Sequence, residues 1–157
     1  MTEEFDGFEL VPFPPDDAGA TPAPDLQVPR ATFAFYNFCR RSYREECDGR
    51  PIWFFGGSTL RPIGLDMITG QVVSVHVLVA DGSLLVENRD LLAFNDCLRA
   101  AIDGYPYEED PADKIHFDAA MTRFKATMLA LDPTVFDCDG LWNMLYWDIG
   151  EGDYSSG

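Results

Sequence analysis

The chain changes its hydrophobic period once, near Asn88, and this change most constrains the fold. Before it, short runs of β-branched and aromatic residues alternate with turn residues; the runs cover residues 51–55, 60–67, 72–79 and 83–87. After it, apolar residues recur at helical spacing. The connections between the runs are too short for parallel crossovers. Strands followed by helices therefore predict an α+β fold, an antiparallel sheet of about five to six strands with C-terminal helices packed on it.

The segment Leu65-Asp66-Met67-Ile68-Thr69-Gly70-Gln71-Val72 joins two of these runs. Gly70 can adopt positive φ without a steric penalty, which suits a tight turn between two strands. The segment carries no catalytic pattern, so it predicts a hairpin and not a reaction centre.

The helical part predicts three helices. Asn88 is the expected N-cap of the first, with Asp90 in its first turn and Gly104 at its end. Asp132-Pro133 is expected to end the second, because proline disfavours helical backbone at the residue before it. The predicted helices cover residues 91–102, 117–131 and 141–149.

Residues 1–29 contain seven acidic residues, no basic residue and six of the eleven prolines. This composition predicts an extended, proline-rich acidic segment ahead of a single α+β domain at residues 30–155. A short edge strand over residues 7–13 is the alternative. Residues 31–38 suit a strand, although a helix continuing towards Arg44 fits the same apolar run.

The formal net charge is −16, and most of it lies near the two ends of the chain. Such a charge repels nucleic acid and anionic lipid and accelerates encounter with a basic protein. Solubility alone is an equally good explanation of the acidity. No apolar run is long enough to span a membrane, and the N-terminus lacks the basic start of a secretory signal. We therefore expect a cytoplasmic protein that binds neither nucleic acid nor membrane.

Catalytic and metal-binding patterns are weak. The four cysteines form no C-x-x-C pair, and neither histidine lies near one at a ligand-like spacing. We expect reduced thiols, with Cys97 in the core, and structural roles for His76 and His116. The sequence thus predicts no catalytic residue, no metal and no cofactor. The four cysteines are Cys39, Cys47, Cys97 and Cys138.

Three further motifs allow both a structural and a binding role. Gly56-Gly57-Ser58-Thr59 follows an apolar run as a phosphate-binding loop would, but it lacks the lysine and a following helix, so a bend is predicted. The basic cluster of Arg40, Arg41 and Arg44 is expected to form ion pairs with the acidic termini. The third helix carries Trp142, Tyr146 and Trp147, and helical spacing places Trp142 and Tyr146 together. Core packing is expected, and an exposed aromatic face would instead be a protein-binding anchor.

The chain resembles the SUKH superfamily of bacterial immunity proteins, in particular its fourth, short and acidic group. The similar segments are the hairpin Leu65–Val72, the strand-to-helix passage Val86–Phe94, the helix Ile115–Asp132 and the tryptophan helix with its tail, Trp142–Tyr154. The resemblance covers about residues 50–155. The family usually opens with a helix containing a Leu-Pro step, where this chain has its acidic proline-rich segment.

The resemblance implies a non-enzymatic immunity protein that binds and neutralises a cognate toxin, such as a nuclease or a deaminase, through the toxin's basic surface. A regulatory or scaffold module is the alternative, followed by a small ligand-binding or enzyme domain around His76. Our predicted contact surface is the acidic loop after the first helix, which lacks the pattern of a calcium loop. Its residues are Tyr105, Tyr107, Glu108, Glu109, Asp110 and Asp113.

Overall fold

The computed structural model describes residues 10–12, 25–29, 37–58, 61–76, 83–104 and 114–151. They form two antiparallel sheets and three helices, an α+β fold as predicted. The strands are β1 Leu10–Pro12, β2 Gln27–Pro29, β3 Asn37–Cys47, β4 Arg50–Gly57, β5 Pro62–Asp66, β6 Val72–Val75 and β7 Leu84–Asn88. The helices are α1 Leu91–Asp103, α2 Lys114–Leu131 and α3 Leu141–Glu151.

The main sheet has five strands in the sequential order β3-β4-β5-β6-β7. Each strand pairs antiparallel with the next, as short connections require. Trp53 opposes Leu65, and Val73 opposes both Gly64 and, on its other side, Val86. The four predicted strand runs correspond to β4, β5, β6 and β7.

The N-terminal region contributes two strands and core residues to the fold, more than the extended segment that its composition predicts. β1 pairs with β2 in a separate two-stranded sheet, which fits the alternative of a short strand within residues 7–13. Leu26 and Val28 are fully buried in the main core cluster. The helical alternative for the segment that reaches Arg44 is wrong, because Asn37–Cys47 forms β3. Residues 31–36 lie outside the described part.

The first helix starts differently from our prediction. Asn88 is the last residue of β7, and the N-cap of α1 is Asp90, whose side chain accepts a hydrogen bond from Ala93 N at 2.7 Å. Gly104 ends the helix as predicted, donating its N–H to Ala100 O. Because Asp90 caps the helix, the Asn88 side chain makes a different set of contacts.

The main core lies between one face of the five-stranded sheet and the helices. Trp53, Phe55 and Val72 meet residues such as Phe94 and Trp142 there. Because successive side chains of a strand point to opposite faces, Phe54 and Val73 belong to a second cluster on the other face. Cys97 is fully buried in the main core, as predicted. In the part of the chain that is described, no helix has the length and apolar character needed to cross a bilayer.

Candidate functional site

The predicted contact loop lies outside the described residues. Tyr105, Tyr107, Glu108, Glu109, Asp110 and Asp113 all fall between Gly104, where α1 ends, and Lys114, where α2 begins. The loop therefore remains a prediction.

The described thiols are poor nucleophiles. Burial raises the pKa of the Cys97 thiol to about 12, and the Asn88 amide donates to its sulfur at 3.5 Å. Burial likewise raises the pKa of the Cys138 thiol to about 12, and its sulfur donates to Val86 O at 3.1 Å. A thiol must ionise to attack or to bind a metal, so neither thiol is reactive near neutral pH.

The other candidate chemical groups form no assembled centre. His76 is half-buried directly after β6, and the His116 side chain lies outside the described part. Among the described residues, no three His, Cys, Asp or Glu side chains are grouped as a metal site would need. Gly56 and Gly57 end β4, and Ser58 and Arg61 exchange backbone hydrogen bonds ahead of β5. Thr59, the last residue of the motif, lies outside the described part.

The hairpin motif Leu65–Val72 is held by one buried carboxylate. Asp66 Oδ1 accepts hydrogen bonds from the backbone N–H of Ile68 at 2.8 Å and of Thr69 at 3.1 Å. Its Oδ2 accepts from Arg50 Nη1 at 2.9 Å. Gly70 has φ 76°, the positive value the sequence predicted. The aspartate and the glycine of the motif thus shape the turn.

Asn88, Asp132 and Trp142 form a buried polar network that joins three separate segments of the chain. Asn88 Nδ2 donates to Asp132 Oδ2 at 3.0 Å, and Asn88 Oδ1 accepts from Trp142 Nε1 at 2.7 Å. Asp132 also accepts from the N–H of Arg89 at 2.9 Å and from the hydroxyl of Thr134 at 2.7 Å. The asparagine, Asp-Pro and tryptophan motifs therefore meet at one structural joint.

Beside this network, Glu87 caps the N-terminal end of α3. Its carboxyl accepts from Ser74 Oγ at 2.6 Å and from Leu141 N–H at 2.9 Å. Burial raises the pKa of Glu87, although these hydrogen bonds and the charge of Arg61 oppose the shift. Gly140 lies so close that an added Cβ would be 2.2 Å from Glu87 Oε2. Glu87 is fully buried, and its hydrogen bond with Leu141 N–H positions the start of α3.

A groove of about 540 Å³ runs between the β1–β2 sheet and α1. It is lined by residues that include Leu26, Leu92, Asn95 and Arg99. Arg99 donates a hydrogen bond to Gln27, and Asn95 donates to Asp25 O at 2.9 Å. The described residues that line the groove include neither histidine nor cysteine, and their polar groups join the N-terminal strands to the helix.

The exposed end of α3 is the described surface that most resembles a binding site. Trp142 and Leu145 point into the core, whereas Trp147 is 58% exposed. Tyr146 lies between, with its ring centroid 5.2 Å from that of Trp147. Trp142 thus follows the core prediction, and Trp147 provides the exposed aromatic group that the alternative required.

Sequence reasoning missed the role of Glu87 and left open whether the aromatic residues of the third helix are buried or exposed. Glu87 is the one charged residue of the run at residues 83–87 and stands at its end, where a buried carboxyl would need hydrogen-bond partners. Trp147 lies two positions from the buried Leu145 and Ile149, so helical geometry places it on the opposite face.

Comparisons of the chain with protein-family models, with curated proteins and with solved structures found no match.

Proposed function

We propose that this chain is an immunity protein that binds a cognate bacterial toxin through the toxin's basic surface and neutralises it. The observation that carries the proposal is the acidic exterior. The chain has a net charge of −16. In the described part, ten acidic side chains are exposed, compared with five basic ones.

Three of the described acidic side chains are buried and contribute to the fold, so they do not form part of the acidic surface. Asp66 holds a turn, Glu87 caps a helix, and Asp132 joins two segments, so each stabilises the fold. The other described acidic side chains are exposed or half-buried, and they form no catalytic arrangement among the described residues. Their charge raises the rate of encounter with a basic surface.

The toxin as partner comes from the resemblance to the SUKH superfamily. Toxins that act on nucleic acid need a basic cleft for their substrate, and an acidic protein complements such a cleft. The same reasoning argues against nucleic acid as the direct partner, because the net charge would repel the phosphate backbone.

The test is co-expression with the protein encoded next to this chain. We expect protection of the host and tight binding in vitro, with an association rate that falls roughly tenfold or more from low to high salt. Lack of protection together with lack of binding would overturn the proposal. Binding that leaves the partner's activity intact would instead indicate a regulatory or scaffold module.

The acidic loop at residues 105–113 is the proposed first contact. Reversing Glu108 and Glu109 to lysine should slow association and speed dissociation. The matched control reverses Glu45 and Glu46, two exposed residues of β3, and changes the net charge equally. If both pairs reduce the association rate alike and neither alters dissociation, the loop steers the partner without contacting it.

A further inference from the structure

The last turn of α3 combines an exposed indole with negative charge. The chain has three tryptophans, of which Trp53 and Trp142 are buried while Trp147 is 58% exposed. Leaving so much of the largest apolar side chain in water has a cost, since burial of apolar area is the main source of folding free energy. Tryptophan is also the residue type most enriched at energetic centres of protein interfaces.

A ladder of aromatic rings anchors Trp147 to the core. Its ring lies edge-on to Tyr146, and the Tyr146 ring centroid is 5.8 Å from that of Phe136. Phe136 in turn contacts Phe124, a core residue, with centroids 6.4 Å apart. The indole is therefore presented by packed neighbours, and less conformational freedom is lost when a partner binds.

Charged groups flank this ladder on two sides. Lys125 lies over the rings of Tyr146 and Phe136, with Nζ 5.4 Å and 5.8 Å from their centroids. The exposed carboxylate of Glu151 lies one turn after Trp147, and α3 contains no basic residue. The carboxyl end of a helix carries a partial negative charge, which adds to that of this carboxylate. The last turn of α3 therefore favours a cation as its neighbour.

From this arrangement we infer that Trp147 and Glu151 bind an arginine side chain of a basic protein partner. The two residues are four positions apart and share one face of α3. A guanidinium can stack on the indole and pair with a carboxylate at the same time, which an ammonium does less well. The identity of the partner as a toxin rests on the proposed function, but the arginine chemistry rests on the surface itself.

The charge also selects between occupants of this face. A second copy of the chain would bring another net charge of −16 against it. An anionic lipid surface would be repelled for the same reason. A basic protein is the occupant that this surface complements.

The first experiment titrates the full-length, isotope-labelled chain with an oligoarginine peptide and follows its three indole N–H signals by NMR. We expect the Trp147 signal to move, while the signal of Trp142, whose Nε1 is bonded to Asn88, stays in place. A Trp147 signal that does not move at saturating peptide overturns the inference. Concentration-dependent movement without peptide would indicate a second copy as the occupant and would overturn it too.

Variants give the quantitative test. Trp147→Ala should weaken oligoarginine binding roughly two- to five-fold, with Trp147→Phe in between. Leu92→Ala is the matched control, because Leu92 is 70% exposed on α1 and should leave binding unchanged. Equal weakening by the two alanine variants overturns the inference, as does equal binding of oligolysine and oligoarginine.

The cognate complex separates this inference from the proposed function. If the adjacent protein is the toxin, Trp147→Ala should weaken the complex about 30-fold or more, as truncation of an anchor tryptophan does. Unchanged affinity in that variant would overturn the anchor and leave the immunity function standing. Failure of the unmodified chain to bind would overturn the immunity function, and the oligoarginine titration would still decide the chemistry of the surface.

Discussion

The side-chain amide of Asn88 donates a hydrogen bond of 3.0 Å to the carboxylate of Asp132, 44 residues further along the chain. The bond joins the end of β7 to the residue that follows α2. Trp142 of α3 donates to the oxygen of the same amide at 2.7 Å. One buried asparagine therefore fixes the relative positions of the sheet edge and two helices.

We expect Asn88→Ala to lower the free energy of unfolding by about 3 kcal/mol, because it leaves the Trp142 indole N–H and the Asp132 carboxylate each short of a buried partner. Urea denaturation monitored by circular dichroism measures the change. Asn143→Ala is the matched control; its amide donates to Asp139 at the surface, so the loss should stay below about 0.5 kcal/mol.

A double-mutant cycle tests whether the joint acts as one unit. Asn88→Ala and Asp132→Ala should be non-additive, with a coupling free energy of about 0.5–3 kcal/mol. Additive losses would mean that the two side chains stabilise the fold independently, in spite of their hydrogen bond.

The joint shows which parts of the structure were predictable. Strand and helix positions follow from local patterns. β4 to β7 coincide with short β-branched and aromatic runs between turn residues, and α1 to α3 with apolar residues three to four positions apart. Capping preference is also local, and it predicts an N-cap role for Asn88. Its actual partners are distant in sequence, and no periodic pattern reveals them.

The N-terminal strands and the α3 surface illustrate the same limit. Leu26 and Val28 lie in a proline-rich, acidic stretch whose composition indicates an extended segment, yet both enter the core. The burial of Trp142 and the exposure of Trp147 follow from helical spacing, once Leu145 and Ile149 define the inner face. The surroundings of the exposed Trp147 also include Lys125 and Phe136, which come from other segments of the chain and which helical spacing does not reveal.

Glu87 should make the fold less stable as pH rises. Burial raises its pKa above the ordinary value of 4.5, so the folded state holds this proton more tightly than the unfolded state does. The resulting stability is fully present below 4.5 and is lost as pH rises towards the folded pKa. Urea denaturation at a series of pH values from below 4.5 upwards should show the free energy of unfolding declining, and Glu87→Gln should remove this decline.

The control for Glu87 is Glu151→Gln, which also removes one negative charge but at an exposed position. The free energy of unfolding of this variant should decline with rising pH as it does in the unmodified chain. If both variants flatten the pH dependence equally, general charge repulsion explains it and the buried carboxyl does not.

Asp66 should produce the opposite pH dependence. Burial alone would raise the pKa of Asp66, but hydrogen bonds from Arg50, Ile68 and Thr69 outweigh it and hold the pKa below its ordinary value of 3.8. Its contribution is therefore present above 3.8 and is lost as pH falls through the lower folded pKa. Asp66→Asn should lower stability near neutral pH and reduce the loss in acid. The exposed Asp103→Asn should reproduce the acid loss of the unmodified chain.

Gly140→Ala should be among the most destabilising single substitutions at a small residue. The added Cβ would lie 2.2 Å from Glu87 Oε2 and 2.3 Å from Glu87 Oε1, so either α3 or the carboxylate must move. Movement would break the bond between Glu87 and Leu141 N–H that caps the helix. We expect the free energy of unfolding to fall by about 2–4 kcal/mol from overpacking and the lost buried hydrogen bond.

Gly70→Ala is the control for backbone strain alone, because its Cβ would meet open space although φ is 76°. It should lower the free energy of unfolding by about 1–2 kcal/mol. A Gly140→Ala variant as stable as the unmodified chain would show that α3 is not seated on Glu87.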